Sequence, residues 1–411
     1  MKTGPRRVPV AKPNPPRLSE HLRELAEIED SGTYSNFGPK NTQFERELTE
    51  TVFGSGQCLT VCNATSGLMV AIREAIGENR PSARRYALMT SFTFAATAHA
   101  AIWNGLTPLL CDIDPDTWLP CAGAEEKLLR EYAGQIAVIV PYATFGNNLD
   151  LRRYDDLAAR YDVPVVVDAA ASLGSLDDNG VAFGTGSQWP IVFSMHATKA
   201  FSTGEGGVVY SADTARMSRL RAMCSFGFES PRIASLPGLN AKLSEVAALT
   251  ALLQLRRFPE ALEKRQSLSD SYRSVLPSEW KLQQRCGLRQ SQVFESVLLP
   301  RPLATSRSEI IAQLRNRGIG VSTYFSPHMA EQPYFARNAV CGPLPVTADV
   351  ASRILTLPMF DAMTTDDVEY VVTNLIAIAE EINEHAESDA PLDSTLHVLD
   401  HTVEAASRVW K

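Results

Sequence analysis

The most constraining feature of this sequence is a regular alternation of short apolar runs and amphipathic segments between about residues 57 and 210. The runs are continuously apolar, which is typical of strands buried on both faces of a parallel sheet. The segments between them carry apolar residues at helical spacing. The alternation predicts an α/β domain with a doubly wound, mainly parallel sheet. The predicted strands are Cys58–Cys62, Tyr86–Met89, Thr107–Cys111, Ile136–Pro141, Val163–Val167 and Trp189–Phe193.

The pattern changes after about residue 210, where long helical stretches at 242–256 and 259–276 precede a mixture of short strands and helices. This order predicts a second, smaller α+β domain toward the C-terminus. Residues 1–17 are rich in Pro, Lys and Arg, which predicts an extended arm that does not pack. The predicted divisions are an arm at 1–30, a large domain at 31–257, a small domain at 258–384 and a tail at 385–411.

Composition excludes several classes of protein. The 411 residues carry a net charge of −8 and no long basic run, so we expect no nucleic-acid partner. No window approaches about 18 consecutive apolar residues, and the N-terminus lacks an apolar signal segment, so we expect no membrane partner. The seven cysteines are scattered without CxxC spacing. That pattern predicts free thiols in the cytoplasm and no metal site.

Familiar catalytic motifs are missing from the sequence. It contains no Walker A motif, no G-x-S-x-G elbow and no H-E-x-x-H pair. Gly184-Thr185-Gly186 lacks the third glycine of a dinucleotide-binding turn. These gaps weaken the hypotheses of a kinase, a serine hydrolase, a zinc protease and an ordinary dehydrogenase.

Three other places carry residues suited to chemistry. Asp168 ends a predicted buried strand, where open α/β sheets bind ligands, although it could equally be the N-cap of a following helix. Lys199 follows the next apolar run, where burial can lower the pKa of an amine and suit it to Schiff-base chemistry, although most lysines are simply on the surface. The turn at 63–67 opens a helix whose N-terminus could bind phosphate or could simply be capped by Asn63 or Thr65.

Together these three places match the requirements of one cofactor. Pyridoxal phosphate needs a lysine for its aldehyde, an anion beside its ring nitrogen and a helix N-terminus for its phosphate. Phe94 follows the next predicted strand and offers a flat surface for the ring. The sequence therefore predicts a pyridoxal phosphate site at the carboxyl ends of the strands.

The chain resembles the DegT/DnrJ/StrS-type nucleotide-sugar aminotransferases, which are pyridoxal phosphate enzymes of fold type I, from about Val8 to Ile378. The most specific segment is FSMHATKAFSTGEGGVV at 193–209. The other segments that carry the resemblance are SNFGP (35–39), NATSGL (63–68), SFTFAATAHA (91–100), CDIDPDTW (111–118), DAAASLGS (168–175), SFGF (225–228), GLNAKLSE (238–245), GIGVSTYF (318–325) and LTLPMF (355–360).

The resemblance implies a role for each matching residue. Lys199 would form the Schiff base and move protons, and Asp168 would pair with the ring nitrogen. The backbone amides of Thr65 and Ser66, with the Ser194 hydroxyl, would hold the phosphate. The resemblance further implies that Phe94 stacks on the ring, and that Asn240 reaches the phosphate of a second subunit in a homodimer with shared active sites. Tyr34, Phe37 and His328 are candidate substrate contacts.

The reaction implied by the resemblance is transfer of an amino group from L-glutamate to a nucleotide-activated keto-sugar, most closely a 4-keto-6-deoxyhexose, in deoxyamino-sugar biosynthesis. Two alternatives stay open at this point. One is a different reaction on the same fold, such as sugar dehydration, in which relatives have His in place of the lysine, or other amine or keto-acid chemistry. The other is a non-catalytic regulatory relative. The main departure from the family is Ala171, where Gln or His usually contacts the phenolic oxygen of the cofactor.

Overall fold

The structure is a computed structural model that describes residues 6–230 and 232–388. Shorter helical turns occur at Leu18–Glu20, Thr49–Phe53, Thr144–Gly146, Arg301–Ser306 and Met329–Glu331. The strands are β1 (Gln57–Val61), β2 (Tyr86–Thr90), β3 (Thr107–Cys111), β4 (Ile136–Ile139), β5 (Val167–Asp168), β6 (Ile191–Ser194), β7 (Gly207–Ser211), β8 (Phe228–Ser230), β9 (Ile233–Ala234), β10 (Lys281–Leu282), β11 (Glu295–Leu298), β12 (Val340–Cys341) and β13 (Ile354–Leu357). The α-helices are α1 (Leu22–Ser31), α2 (Pro39–Leu48), α3 (Ala64–Ile76), α4 (Ala95–Trp103), α5 (Ala122–Glu131), α6 (Leu151–Tyr161), α7 (Thr214–Cys224), α8 (Glu245–Val275), α9 (Arg307–Asn316), α10 (Phe335–Asn338), α11 (Pro345–Arg353) and α12 (Thr365–Ser388).

The large sheet has the strand order β1-β7-β6-β5-β4-β2-β3-β12. Isolated parallel bridges, Ile139 to Val165 and Tyr142 to Asp168, join β4 to β5 and make the sheet continuous. Only β7 runs antiparallel to its neighbours in this sheet, so the predicted mainly parallel α/β architecture is confirmed.

Helices cover both faces of this sheet, and its strands are therefore buried on both sides. Adjacent residues of β2 show the arrangement, since Leu88 belongs to the apolar cluster on one face and Met89 to the cluster on the other. This double burial explains why the strands are continuously apolar. Several helices begin at a side-chain cap, as where Asn63 Oδ1 accepts a 2.8 Å hydrogen bond from the Ser66 amide.

A smaller antiparallel sheet, with strand order β10-β11-β13, forms the second part of the structure. Its apolar core contains Val297 and Leu355 and is completed by helices α9 and α12. The predicted tail begins inside α12, and its residues 389–411 lie outside the described residues. Within the described residues, none of the helices is long and apolar enough to span a membrane.

Helix α8 corrects the sequence prediction of two helices at 242–256 and 259–276. It is one continuous helix of 31 residues that contains Pro259. Phe258 on one side of the proline belongs to the core of the large sheet, whereas Leu268 and Tyr272 belong to the core of the small sheet. Burial against both cores maintains the helix even though a proline lacks the amide that the helix needs. The predicted domain boundary at 257/258 falls within this helix, and the division into domains stays a prediction.

The N-terminal arm is packed, so the expectation that it is loose is wrong for its described part. Val8 is 1% exposed and forms a parallel bridge with Ile319. Its amide donates to Gly318 at 2.9 Å, and its carbonyl accepts from Gly320 at 2.8 Å. These backbone bonds, together with burial of Val8 in the smaller core, attach the arm to the C-terminal part.

Candidate active site

A cavity of about 630 Å³ opens at the carboxyl ends of β5 and β6. One wall comes from the large sheet and the loops that follow its strands, and the opposite wall comes from residues 293–294 and 324–325 near the small sheet. The lining residues are Asn63, Ala64, Thr65, Ser66, Leu68, Phe94, Ala96, Tyr142, Phe145, Asp168, Ala170, Ala171, Ser194, His196, Thr198, Lys199, Glu205, Val293, Phe294, Tyr324 and Phe325.

Asp168 lies at the end of β5 and is 2% exposed. Its Oδ2 accepts a 2.5 Å hydrogen bond from the Thr97 hydroxyl, and its Oδ1 accepts a 3.1 Å bond from the Ala170 amide. Burial raises the pKa of this carboxyl group, opposed by those two hydrogen bonds and by the charge of Lys199. Among the described residues, no basic group lies within 4 Å to pair with the carboxylate. The sheet therefore holds an oriented carboxylate that a cation would stabilise.

Lys199 lies in the loop between the antiparallel strands β6 and β7. The loop is closed by backbone hydrogen bonds, including a 2.8 Å bond from the Ala197 amide to the Gly204 carbonyl, and is anchored by the buried side chain of Phe201. Burial lowers the pKa of the Lys199 amine, and the Asp168 charge opposes this shift. A buried lysine whose amine has a lowered pKa is suited to Schiff-base chemistry.

The N-terminus of α3 faces the same cavity. Thr65 and Ser66 line it, and Ser194 lies beside them at the end of β6. The Ser66 amide is already engaged by Asn63 Oδ1. The strand and helix approach closely here, because a Cβ at Gly207 would lie 2.9 Å from the Ala64 amide nitrogen. The helix N-terminus and the Ser194 hydroxyl form a donor set suited to a phosphate.

Phe94 presents a flat apolar surface in the cavity. It immediately precedes α4, and 61% of its surface is exposed although its neighbours on α4 are largely buried. Leaving a large ring exposed in a cavity is costly unless something flat covers it. Phe94 is therefore suited to stack on an aromatic ring.

These observations fit pyridoxal phosphate. A buried carboxylate that lacks a cation suits a protonated ring nitrogen, an amine with a lowered pKa suits the aldehyde, and an exposed phenyl ring suits the pyridine ring. The helix N-terminus suits the phosphate. Lys199, Asp168, Thr65, Ser66, Phe94 and Ser194 all line one cavity although they come from four separate segments of the sequence.

The remaining predicted site residues do not line the cavity. The exposed Tyr34 accepts a backbone bond from Glu245 through its carbonyl, and the ring of Phe37 packs 4.7 Å from the Arg221 guanidinium. Asn240 is exposed on the surface of the subunit and accepts a 2.7 Å hydrogen bond from Lys242. Within this chain these three residues do not reach the cavity, so their roles stay predictions.

His328 is also outside the cavity. It is 5% exposed, and its Nδ1 lies 2.9 Å from the Ser91 hydroxyl. Burial lowers the pKa of its imidazole. Tyr324 and Phe325, which lie a few residues before His328, line the cavity instead. The substrate role of His328 remains a prediction, and the structure gives this histidine a buried bond to Ser91.

Sequence reasoning missed the aromatic wall of the cavity. Phe145 and Phe325 stack with ring centroids 5.2 Å apart, and Phe294 stacks on Tyr324 at 4.5 Å. The motif FGN at 145–147 follows a strand and gave a weak signal for Phe145. Phe294 and Tyr324 lie far from Lys199 in the sequence, and no local pattern links them to the site.

The cavity and the fold define a pyridoxal phosphate-dependent aminotransferase of fold type I. The chain belongs to the DegT/DnrJ/EryC1/StrS aminotransferase family, whose sequence model matches residues 17–376.

Three comparisons illustrate the relationship. The dTDP-4-amino-4,6-dideoxy-D-glucose transaminase of Shigella dysenteriae is 30% identical, with 89% of this chain and 97% of the relative covered. A crystal structure of a proposed PLP-dependent aminotransferase from Bacillus cereus ATCC 10987 is 35% identical with a TM-score of 0.84, covering 90% and 100% of the two chains. DesI, solved in the presence of its TDP-sugar product, is 30% identical with a TM-score of 0.83, covering 93% and 95%.

Proposed function

We propose that this aminotransferase transfers an amino group from L-glutamate to a nucleotide-linked 4-keto-6-deoxyhexose. The observation that carries the proposal is the placement of Lys199 and Asp168 in one cavity with the N-terminus of α3. The Shigella relative and DesI, whose names refer to dTDP- and TDP-linked sugars, support a nucleotide sugar as the acceptor.

Pyridoxal phosphate, when bound, supplies an aldehyde and a ring that accepts electrons from a substrate carbon. Lys199 would hold the cofactor through its side-chain amine, and the same amine could accept a proton from the substrate and return one. Burial lowers the pKa of this amine, which favours its neutral, nucleophilic form. Asp168 keeps a proton on the ring nitrogen, and the hydroxyl of Thr97 holds Oδ2 in place for that task.

The aromatic wall suits a hexose. Phe145, Phe325 and the Phe294–Tyr324 pair present apolar faces opposite the sheet. Such faces pack against the C–H groups of a deoxysugar and exclude water that would hydrolyse the reacting group.

We further propose a homodimer with shared active sites that acts in the cytoplasm. Phe226 and the hairpin residues Phe228 and Ile233 are exposed, and the bridge between Ser225 and Asn240 places this segment beside Asn240. Exposed apolar side chains of this kind suit a subunit interface. In that dimer Asn240 would reach the phosphate site of the partner. The cysteines are all free thiols, which fits a reducing compartment.

The first experiment tests the amino donor. The purified protein is loaded with pyridoxal phosphate, and its visible band is followed after L-glutamate is added. We expect the band to bleach in the wild type and in the surface control Lys127→Ala, and to be missing in Lys199→Ala. A stable visible band that glutamate does not change would contradict glutamate as donor.

The second experiment tests the acceptor. The aminated enzyme is mixed with dTDP-4-keto-6-deoxy-D-glucose, and mass spectrometry detects the amino sugar. A product that has lost water without gaining nitrogen would point to dehydration instead. A protein that takes up no pyridoxal phosphate would support the non-catalytic alternative.

The third experiment tests shared sites. Lys199→Ala and Asn240→Ala proteins, each inactive or nearly so, are mixed under conditions that exchange subunits. A mixed dimer has one intact site, so random exchange should restore about a quarter of the wild-type activity. If each site lies within a single subunit, mixing restores nothing.

A further inference from the structure

Tyr142 and Asp168 are paired across neighbouring parallel segments. The two residues form a backbone bridge, with the Asp168 amide donating to the Pro141 carbonyl and the Ala143 amide donating to the Asp168 carbonyl, both at 2.9 Å. Residues paired in this way direct their side chains to the same face of a sheet. Both side chains line the cavity.

The Tyr142 hydroxyl has a proton without a protein acceptor. Its oxygen accepts a long 3.4 Å hydrogen bond from the Phe145 amide. Within the described residues, no hydrogen bond is donated by this hydroxyl. The residue is 3% exposed, and its ring packs edge-on against Phe325 with centroids 5.8 Å apart. A buried hydroxyl normally donates its proton, and the cavity that Tyr142 lines is where a ligand could accept it.

The neighbouring wall lacks the polar group expected there. Ala171 stands where the family usually has Gln or His, and it packs against Val293 and Phe294. Ala170 and Ala171 therefore offer no side-chain donor on that side of the cavity. Tyr142 comes from the adjacent segment, is paired with Asp168 across the sheet and lines the same cavity as this carboxylate.

We propose that the Tyr142 hydroxyl donates a hydrogen bond to the phenolic oxygen of pyridoxal phosphate and so replaces the Gln or His that is absent at Ala171. The inference rests on the use of pyridoxal phosphate but not on the identity of the sugar. Tyr142 is a positioning and tuning residue, because it contacts the cofactor rather than the reacting carbon.

The expected effect follows from the charge on that oxygen. A hydrogen-bond donor at the phenolic oxygen stabilises that oxygen as an anion. It therefore lowers the pKa of the proton that would be shared between this oxygen and the nitrogen linked to the lysine. Burial and the Asp168 charge raise the pKa of the Tyr142 hydroxyl, so it stays a neutral donor throughout the working range. The titratable groups facing Tyr142 are Asp168 and Tyr324, and the same cavity also holds Lys199, His196 and Glu205.

The test is a pH titration of the visible band of the protein loaded with pyridoxal phosphate. Tyr142→Phe should raise the midpoint by about one pH unit, the effect of a tenfold change in proton affinity. Tyr132→Phe removes a tyrosine hydroxyl outside the cavity and is the matched control, with an unchanged midpoint. Tyr142→Met removes the donor in a second way if Phe is not tolerated, and thermal unfolding checks that each variant is folded.

A second readout uses 3-deoxypyridoxal phosphate, which lacks the phenolic oxygen. The wild type should prefer pyridoxal phosphate over this analogue, and Tyr142→Phe should reduce the preference about tenfold. An unchanged midpoint and an unchanged preference in Tyr142→Phe would overturn the proposal, as would an equal shift in Tyr132→Phe. A wild type that takes up no pyridoxal phosphate would overturn the cofactor assignment as well, and the missing visible band distinguishes that outcome.

Discussion

The Thr97 hydroxyl donates a 2.5 Å hydrogen bond to Oδ2 of Asp168, which connects the first turns of α4 to the end of β5. This contact joins two segments that are 71 residues apart in the sequence. It also leaves the carboxylate with one fixed orientation toward the cavity. The orientation of the Asp168 carboxylate therefore depends on Thr97, and no sequence motif links these two residues.

Thr97→Val should weaken binding of pyridoxal phosphate about tenfold, since a hydrogen bond to a charged group contributes roughly 1.5–3 kcal/mol. The hydrogen bond lowers the pKa of Asp168, so its loss raises that pKa, and the acid limb of the activity profile should move to higher pH. Cofactor titration and a pH–rate profile check both effects. The control is Thr93→Val, which removes the 3.1 Å partner of Thr97 but no contact to Asp168. Equal effects from the two variants would contradict the prediction.

Asp168→Asn should lower kcat at least a hundredfold, because an amide cannot keep a proton on the ring nitrogen. In the cofactor-free protein, by contrast, the same substitution should not lower the free energy of unfolding at pH 7. Burial raises the pKa of Asp168, so its contribution to stability is present below the unfolded pKa of about 3.9 and is lost as the pH rises through the folded pKa. The cofactor-free variant should therefore be at least as stable as the wild type at pH 7 and gain less from added cofactor. Thermal unfolding at pH 5 and pH 8, with and without cofactor, measures this, and a less stable cofactor-free variant at pH 7 would refute it.

Gly207→Ala should weaken cofactor binding at least tenfold. The new Cβ would lie 2.9 Å from the Ala64 amide nitrogen and 3.0 Å from the Phe193 carbonyl, so the start of α3 must move. Gly123→Ala, with nothing within 4 Å of the added Cβ, is the matched control. Fluorescence titration with pyridoxal phosphate measures the affinities. Wild-type affinity in Gly207→Ala would show that the start of α3 does not hold the phosphate.

Ala171→Gln should destabilise the protein by about 1–3 kcal/mol, because the longer side chain overpacks the space occupied by Val293 and Phe294. Adding Phe294→Ala should recover part of the loss by opening room beside residue 171. Urea unfolding of the two single variants and the double variant forms the required cycle. Strictly additive losses would mean that residues 171 and 294 do not share this space.

The sequence predicted the sheet and one side of the site for a physical reason. Strand ends and helix starts are local patterns, so Asp168, Lys199 and the turn before α3 could be recognised individually. The other side of the site depends on contacts between distant segments. Phe294 and Tyr324 reach the cavity only because the small sheet packs beside the large one.

His328 and helix α8 show the same limit. The motif around His328 predicts a substrate contact, and it gives no sign that the imidazole lies 2.9 Å from the Ser91 hydroxyl. The sequence pattern predicted two helices at 242–256 and 259–276, but burial on both sides of Pro259 keeps α8 continuous. In each case the deciding partner is far away in the sequence.

The continuity of α8 has a consequence for how substrates enter. Its first half is embedded beside the large sheet and its second half beside the small one, so the two cores share one stiff element. A rotation that widened the cavity would have to bend this helix or lift one half of it out of its core. Rearranging the short segments that carry Phe294 and Tyr324 therefore costs less free energy than a hinge motion of whole domains. We expect a bulky nucleotide sugar to enter by the first route.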